Sequence, residues 1–448
     1  MGRSRKSAVA GPGADPPEDG AMTITKPVSP LSIAAYRHYW CARLTSTIAQ
    51  NGMIVVIGWE TYDIARRTML PGKAALQLGL IGIAQFTPLL LLIFVSGWVA
   101  DRIDRRWIAR STALLEAGCA AALAIMAWRN TTTLPALFTV AALLGVARAF
   151  AGPALQALSP NLVPREILPR AIALSSIAWQ MGAVVGPPIG GYLYAIGPAF
   201  PFVASMIAFG MTFVLLLTIP PVPRIMLDRN RHPLRQMIDG MAYMRQNKLV
   251  LGAISLDLFA VLLGGATAML PIYARDILHV GVSGLGHLRA APAVGSALTA
   301  IWFSNRPLKT NVGVKLLFAV ALFGAATVVF GLSRWFPLSL ACLALLGAAD
   351  MVSIFVRQTL IQLNTPDEMR GRVGAVSTLF ISGSNELGEA ESGFLAAAIG
   401  PVGAVVGGGI GTILVAIIWA RIFPEIRRAR SFAIRNALDN VQGQEQSA

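Results

Sequence analysis

Apolar segments of about 20 residues recur along almost the whole chain, and this recurrence restricts the fold more than any other feature. Roughly 20 residues, at 1.5 Å each, is the length of helix that crosses about 30 Å of hydrocarbon. Twelve segments are read, at 37–62, 76–98, 107–128, 134–158, 171–196, 199–219, 249–273, 284–304, 312–332, 336–361, 373–398 and 402–423. They lack the alternation of period two that barrel strands carry, so helices remain, because a backbone in lipid must satisfy its own hydrogen bonds. Composition agrees. Of 448 residues, 55% are hydrophobic and 13% charged, about half the roughly 25% charged share of a soluble domain, which excludes an ordinary soluble enzyme.

The 37 Lys and Arg against 22 Asp and Glu give a net charge of +15. In a soluble protein that balance would suggest nucleic acid, but here the basic residues sit in short runs between apolar segments, and no nucleic-acid partner is expected. Runs at Arg3–Lys6, Arg102–Arg110, Arg224–Lys248 and Arg427–Arg435 all fall on one side of the twelve-segment reading. The opposite side has Arg66, Arg67, Lys73, Arg129, Arg275, Arg289 and Arg334. The positive-inside rule therefore places both termini in the cytoplasm. Residues 1–30, with five prolines and no apolar run, are expected to be a disordered cytoplasmic tail, and 425–448 a second tail. Cys41, Cys119 and Cys342 lie far apart and the four histidines lack ligand spacing, so neither a disulfide framework, a metal site nor a cofactor is expected.

The longest loop, 220–247, opens with Pro220, Pro221 and Pro223 and separates a six-segment half at 31–219 from another at 248–424. Shifting the first half by 202 positions superposes Gly145 on Gly347, Pro164 on Pro366, Arg170 on Arg372, Gly186 on Gly388 and Gly191 on Gly393. Two six-helix blocks of the same orientation form a parallel repeat about an axis normal to the membrane.

Between the second and third segments lies Gly97-Trp98-Val99-Ala100-Asp101-Arg102-Ile103-Asp104-Arg105-Arg106, and the fifth carries Gly182, Gly186 and Gly190 at i, i+4 and i+8, with Pro187, Pro188 and Gly191. A stripe of glycines lets a partner backbone approach closely. Both stretches resemble the major facilitator superfamily, whose corresponding loop reads Gly-x3-Asp-Arg/Lys-x-Gly-Arg-Arg/Lys; Asp104 stands where that pattern has its second glycine, a departure expected to weaken the turn. The resemblance implies an all-α membrane protein of the major facilitator fold and gives Gly97, Asp101, Arg102, Arg105 and Arg106 the role of a cytoplasmic gate. Gly182, Gly186, Pro187, Gly190 and Gly191 match the superfamily's exporter motif except at its first glycine, which is Ala173 here. Further stretches, from Leu155 to Glu166 and from Leu270 to Pro292, are similar to the branch that includes the enterobactin exporter and related proton-driven efflux proteins.

Ionisable residues at mid-membrane cost from about 2.5 kcal/mol upward and mark function unless they reach water. Arg148 and Asp350 are related by the repeat, and the resemblance places their helices around a central cavity, so they are expected to pair across it, extended by Arg357. Glu386, Glu389 and Glu391, with Asp257, are candidates for proton coupling, because clustered carboxylates at depth cannot all ionise cheaply. The function expected is a monomeric secondary active transporter in the inner (cytoplasmic) membrane. It would take a small molecule as substrate, the lipid bilayer as its other partner, and couple export of a drug, dye or siderophore to protons. Uptake, or movement of lysophospholipid, are the alternatives within the same fold. An integral-membrane transferase using Asp101 and Asp104 for magnesium is a distant one. No Gly-x4-Gly-Lys-Ser/Thr motif supplies ATP binding.

Overall fold

The computed structural model describes residues 29–221, 233–306, 308 and 310–432. Helices are α1 (Ala34–Thr68), α2 (Pro71–Arg102), α3 (Arg105–Trp128), α4 (Leu134–Leu158), α5 (Leu168–Ile196) and α6 (Phe200–Leu217) in an N-terminal block. The C-terminal block has α7 (Pro233–Gln246), α8 (Lys248–Leu263), α9 (Leu270–Ile272), α10 (Gly281–Asn305), α11 (Val312–Leu332), α12 (Phe336–Leu363), α13 (Asp367–Ile422) and α14 (Pro424–Arg428). Proline occupies the first or second position of α2, α4, α5, α6 and α12, where its missing N–H has no helical partner to lose. Of the tails expected at 1–30 and 425–448, residues 1–28 and 433–448 lie outside the described residues, and α14 occupies the start of the second.

Among the described residues, nine stretches are long and apolar enough to cross a membrane. This is fewer than the twelve expected from sequence. Helices α1 and α10 miss the measure because polar and charged side chains interrupt them, including Arg43, Gln50, Glu60, His287 and Arg289. The other difference is a merger. Segments eleven and twelve are joined in α13, whose span Arg372–Ile422 has 51 residues, about 75 Å if straight. Gly400, at φ 81° and ψ 160° before Pro401, breaks it into two arms. The result is an all-α, multi-span membrane protein. Leu114, Trp128, Ile207, Val214, Leu298, Phe318 and Ile410 stand exposed on its outer surface, where lipid would cover them.

The expected linker is also partly structured. Helix α7 packs on the C-terminal block: Gly240 lies against the Arg372 carbonyl, Asp239 pairs with Arg372 at 3.0 Å, and Tyr243 donates to the Asn364 carbonyl at 2.7 Å. Asn247 then caps α8, accepting from the Leu249 and Val250 amides.

Glycines 202 positions apart make comparable contacts. A Cβ at Gly186 would meet the Ile48 carbonyl of α1 at 2.6 Å, and one at Gly388 the Leu262 and Val261 carbonyls of α8 at 2.8 Å. Five residues on, Gly191 of α5 lies against Val282 of α10, and Gly393 of α13 against Gly79 of α2. The first member of each pair packs within its block and the second across to the other. An apolar cluster containing Val55, Leu78, Leu270, Tyr273, Leu343 and Ala396 is shared by both blocks.

Candidate transport site

Helix α8 stops at Leu263. Gly264 and Gly265 follow, then a 3-10 turn (Ala266–Met269), α9, and a π-helical turn (Tyr273–Ile277). Segment seven was expected to run unbroken through 249–273. It breaks because a Cβ at Gly265 would collide with the Gly388 carbonyl and Ser392 Oγ of α13, so two glycines let the chain approach α13 and unwind there. Unwinding frees the Thr267 carbonyl. Arg289 of α10 donates to it through Nη1 at 3.0 Å, and its Nη2 stands 3.4 Å from Glu389 Oε1 of α13. Thr267 Oγ1 lies at 3.5 Å from the same carboxylate oxygen.

This cluster forms one wall of a cavity between the blocks. Ile54, Ile57, Leu78, Ile81 and Gln85 of the N-terminal block make the facing wall, which carries no charge. The cavity thus offers an apolar surface opposite a single ion pair, a combination suited to an amphipathic molecule.

The expected site residues are distributed as follows. Glu389 lines the cavity, while Glu391, about 200° further round the helix at 100° per residue, is half-buried and does not line it. The side chains of Glu386 and Asp101 lie outside the described residues. Asp257, expected to carry protons, is instead ion-paired with Arg357, both at 5% exposure or less. The expected Arg148–Asp350 pair is not formed. Among the described residues no ion pair or side-chain hydrogen bond reaches Asp350, Arg148 takes part in an interaction of its own, and Glu116 of α3 accepts from Gln50 at 2.7 Å. Equivalence under the repeat does not by itself bring two positions together.

The loop between α2 and α3 also differs from expectation. Asp104 does not weaken the turn. It is the N-cap of α3, accepting from the Arg106 amide at 3.0 Å, while the Arg106 guanidinium closes on it at 2.6 Å. These bonds hold the Asp104 carboxyl below the usual carboxylate range. Arg106 also donates to the Ile219 carbonyl, and Arg110 to that of Leu216, so the loop is tied to the end of α6. Arg102 and Arg105 each take part in an interaction of their own. A carboxylate so engaged is a poor magnesium ligand, and among the described residues no group of three His, Cys, Asp or Glu is placed to hold a metal ion. In α5, Gly182, Gly186 and Gly190 face Thr47, Ile48 and Gly52 of α1, and Pro187 presents its carbonyl to Gly286 of α10.

Sequence reasoning missed Arg289, counted among loop charges although it stands about 12 Å into α10 by its eight-residue offset. It also passed over Asp63 and Asp276. The signal for these was an Asp beside arginines at the ends of the first and seventh segments.

The broken helix, the wall-to-wall cavity and the glycine seams define a transporter of the major facilitator type. Residues 25–440 match the family described as transmembrane secretion effector, and the chain belongs to that family. It is 27% identical over 401 residues to the enterobactin exporter EntS of Shigella boydii serotype 4 (strain Sb227), covering 88% of this chain and 93% of the relative. It is 28% identical over 403 residues to EntS of Escherichia coli O1:K1 / APEC, with the same coverage. Two solved structures share the fold. One is a bacterial homolog of the human lysosomal transporter Spinster, in an inward-facing and occupied conformation, with TM-score 0.66, 17% identity and coverage of 88% and 97%. The other is a peptide transporter POT in complex with sulfate, with TM-score 0.69, 13% identity and coverage of 90% and 100%. The protein is a secondary active transporter of small molecules and not an enzyme.

Proposed function

We propose that the protein exports a small amphipathic compound, of the drug, dye or siderophore kind, in exchange for protons by alternating access. In this reading the two arms of α13, with α1 and α10, complete twelve crossings in two six-helix halves (31–219 and 248–424) of one monomer in the inner membrane. The α2–α3 loop and both termini face the cytoplasm, as the loop arginines favour. The observation that carries the reading is the cavity wall of Arg289, Thr267 and Glu389 opposite an apolar wall. It presents a carboxylate at depth beside a place for cargo, which is what exchange of one for the other requires. Glu386, Glu389 and Glu391 are the proton-coupling carboxylates. Gly97, Asp101, Arg102, Arg105 and Arg106 are the cytoplasmic gate. Export over uptake is supported by the α5 glycine motif and by the relatives' being enterobactin exporters.

The test is a panel of fluorescent dyes, drugs and catecholate siderophores in energised inverted vesicles. At least one compound should accumulate in the lumen, and a protonophore should abolish that accumulation. Accumulation that survives the protonophore, or none with any compound, removes the proposal.

A further inference from the structure

We propose that the C-terminal block seats one anionic phospholipid on its outer surface, where α11 and the second arm of α13 meet the segment 424–432. The second arm exposes Ile410, Leu414, Ile417 and Arg421, which recur at i, i+4, i+7 and i+11 and so form one outward stripe. Val314 and Phe318 are exposed on the neighbouring α11, whose Gly324 packs on Gly409 of α13. Arg421 follows Ile410 by eleven residues, about 16 Å along a helix. That is close to half of the roughly 30 Å of hydrocarbon in a bilayer. The stripe therefore has the acyl depth of a single leaflet and ends in a cation at the level of the headgroups.

The chain that follows Arg421 is fixed in place. Helix α14 buries Ile426, at 0% exposure, in a cluster with Leu256, Val312, Leu316 and Val356. Gly313 lets the Ile426 carbonyl lie against the start of α11. The Asn311 amide donates to the Arg430 carbonyl at 2.6 Å, and the Gly313 amide to that of Ala429 at 3.0 Å. With Ile426 turned inward on this anchored backbone, Arg427 and Arg428 stand exposed. Among the described residues, the side chains of Arg421, Arg427 and Arg428 make no ion pair or hydrogen bond. Glu425, the acid of the first turn of α14, turns one carboxylate oxygen into the protein.

The N-terminal block shows that the fold does not require such cations. Its last helix, α6, exposes Ile207, Met211, Val214 and Leu217 at i, i+4, i+7 and i+10, and carries no basic residue in its last turn. Arg106 and Arg110, beside the end of α6, are engaged by the Ile219 and Leu216 carbonyls. The two stripes are alike in being apolar, but the second ends in cations that no protein group accepts. An apolar stripe alone takes any lipid tail, and surface cations alone take any anion. Joined at leaflet depth, they select a molecule that has both. A phospholipid of net negative headgroup fits, whereas a zwitterionic one would bring its ammonium against the guanidiniums.

The inference takes its leaflet, the cytoplasmic one, from the proposed orientation, but its test depends on neither orientation nor transport. Full-length protein in detergent, stripped of lipid, is titrated with dioleoyl phosphatidylglycerol or dioleoyl phosphatidylcholine, and retained lipid is counted by native mass spectrometry. One phosphatidylglycerol should be retained, with an affinity at least about tenfold above that of phosphatidylcholine. Arg421→Gln with Arg427→Gln and Arg428→Gln should remove the preference. Phe318→Asp, which keeps the three arginines and sets an anion in the acyl path, should weaken retention as well. Arg245→Gln with Lys248→Gln, exposed at the same end of the block but off the stripe, should leave it unchanged. Glycerophosphoglycerol, the headgroup without tails, should not displace the lipid at equal concentration. Equal retention of the two lipids, a preference that survives the triple substitution, an equal loss in the Arg245 and Lys248 variant, or displacement by the free headgroup overturns the seat. If the triple Gln protein melts below the parent before lipid is added, unchanged retention in Phe318→Asp overturns it instead.

Discussion

The α1–α5 seam and the α8–α13 seam are the same joint built twice, and they have diverged in one respect. In both, glycines of the later helix press on carbonyls of the earlier one: Gly186 on Ile48, Gly388 on Leu262. Helix α1 passes its joint unbroken for 35 residues, whereas α8 ends at it. One glycine, Gly52, suffices for close packing under α5, but consecutive Gly264 and Gly265 let the backbone leave the helix altogether. Packing was kept in both blocks, and the loss of regular hydrogen bonding in one supplied a carbonyl and a place for charge. Two carboxylates of the N-terminal block's own helices, Glu60 and Glu116, are 4% and 3% exposed and turned into the block.

The largest effect on this comparison should come from the ion pair that only the second seam's neighbourhood has. Asp257→Ala leaves Arg357 buried and uncompensated, and should cost about 3–5 kcal/mol of stability, read as a lowered melting temperature in detergent. Asp257→Leu with Arg357→Met should recover most of it. A melting point unchanged by the single substitution would mean the pair is not what holds α8 to α12. Next, Gly186→Leu and Gly388→Leu should each cost roughly 1–3 kcal/mol by overpacking and stop transport. Equal losses would show the two joints to be mechanically equivalent, and a milder loss at Gly388 would show that the broken helix yields.

Glu389→Gln with Glu386→Gln should abolish uphill transport while downhill exchange persists, with little change in melting temperature. Gln85→Leu on the facing wall should alter apparent affinity by a few-fold and leave coupling intact; uphill transport that survives the Glu pair change would move coupling away from Glu386 and Glu389, to Asp257 and Asp350. The smallest effect is at the α2–α3 loop. Asp104→Ala should cost about 1 kcal/mol through the lost cap, and Asp104→Asn less. Because the folded-state pKa of Asp104 is lowered, its contribution is full above the ordinary carboxylate range, near about 4, and fades as pH falls through the lowered value. Melting curves of wild type and Asp104→Ala should therefore converge in acid.

The all-α membrane class was legible in the sequence because hydrophobic length is a local property. The capping role of Asp104 was hidden by comparison with a pattern that has glycine there, although Asp immediately before a helix is a plain N-cap signal. The break in α8 left only Gly264-Gly265 as its trace, inside an apolar run with no other interruption. Arg148 and Asp350 illustrate a deeper limit. Their repeat relation is written in the chain, but whether two equivalent positions meet depends on how the blocks are set against each other, which no single segment encodes. Arg289 was assigned by its nearness to a segment end, and the helix begins earlier than hydropathy suggests.

Helix α7 has a practical corollary for anyone wishing to take this protein apart. Its bonds from Asp239 and Tyr243 run to Arg372 and Asn364, so it travels with the later helices although it precedes them in the chain. If the gene were divided into two separately expressed pieces, a cut between positions 221 and 233 would leave each piece with its own contacts, whereas one after 247 would strand α7 on the wrong fragment.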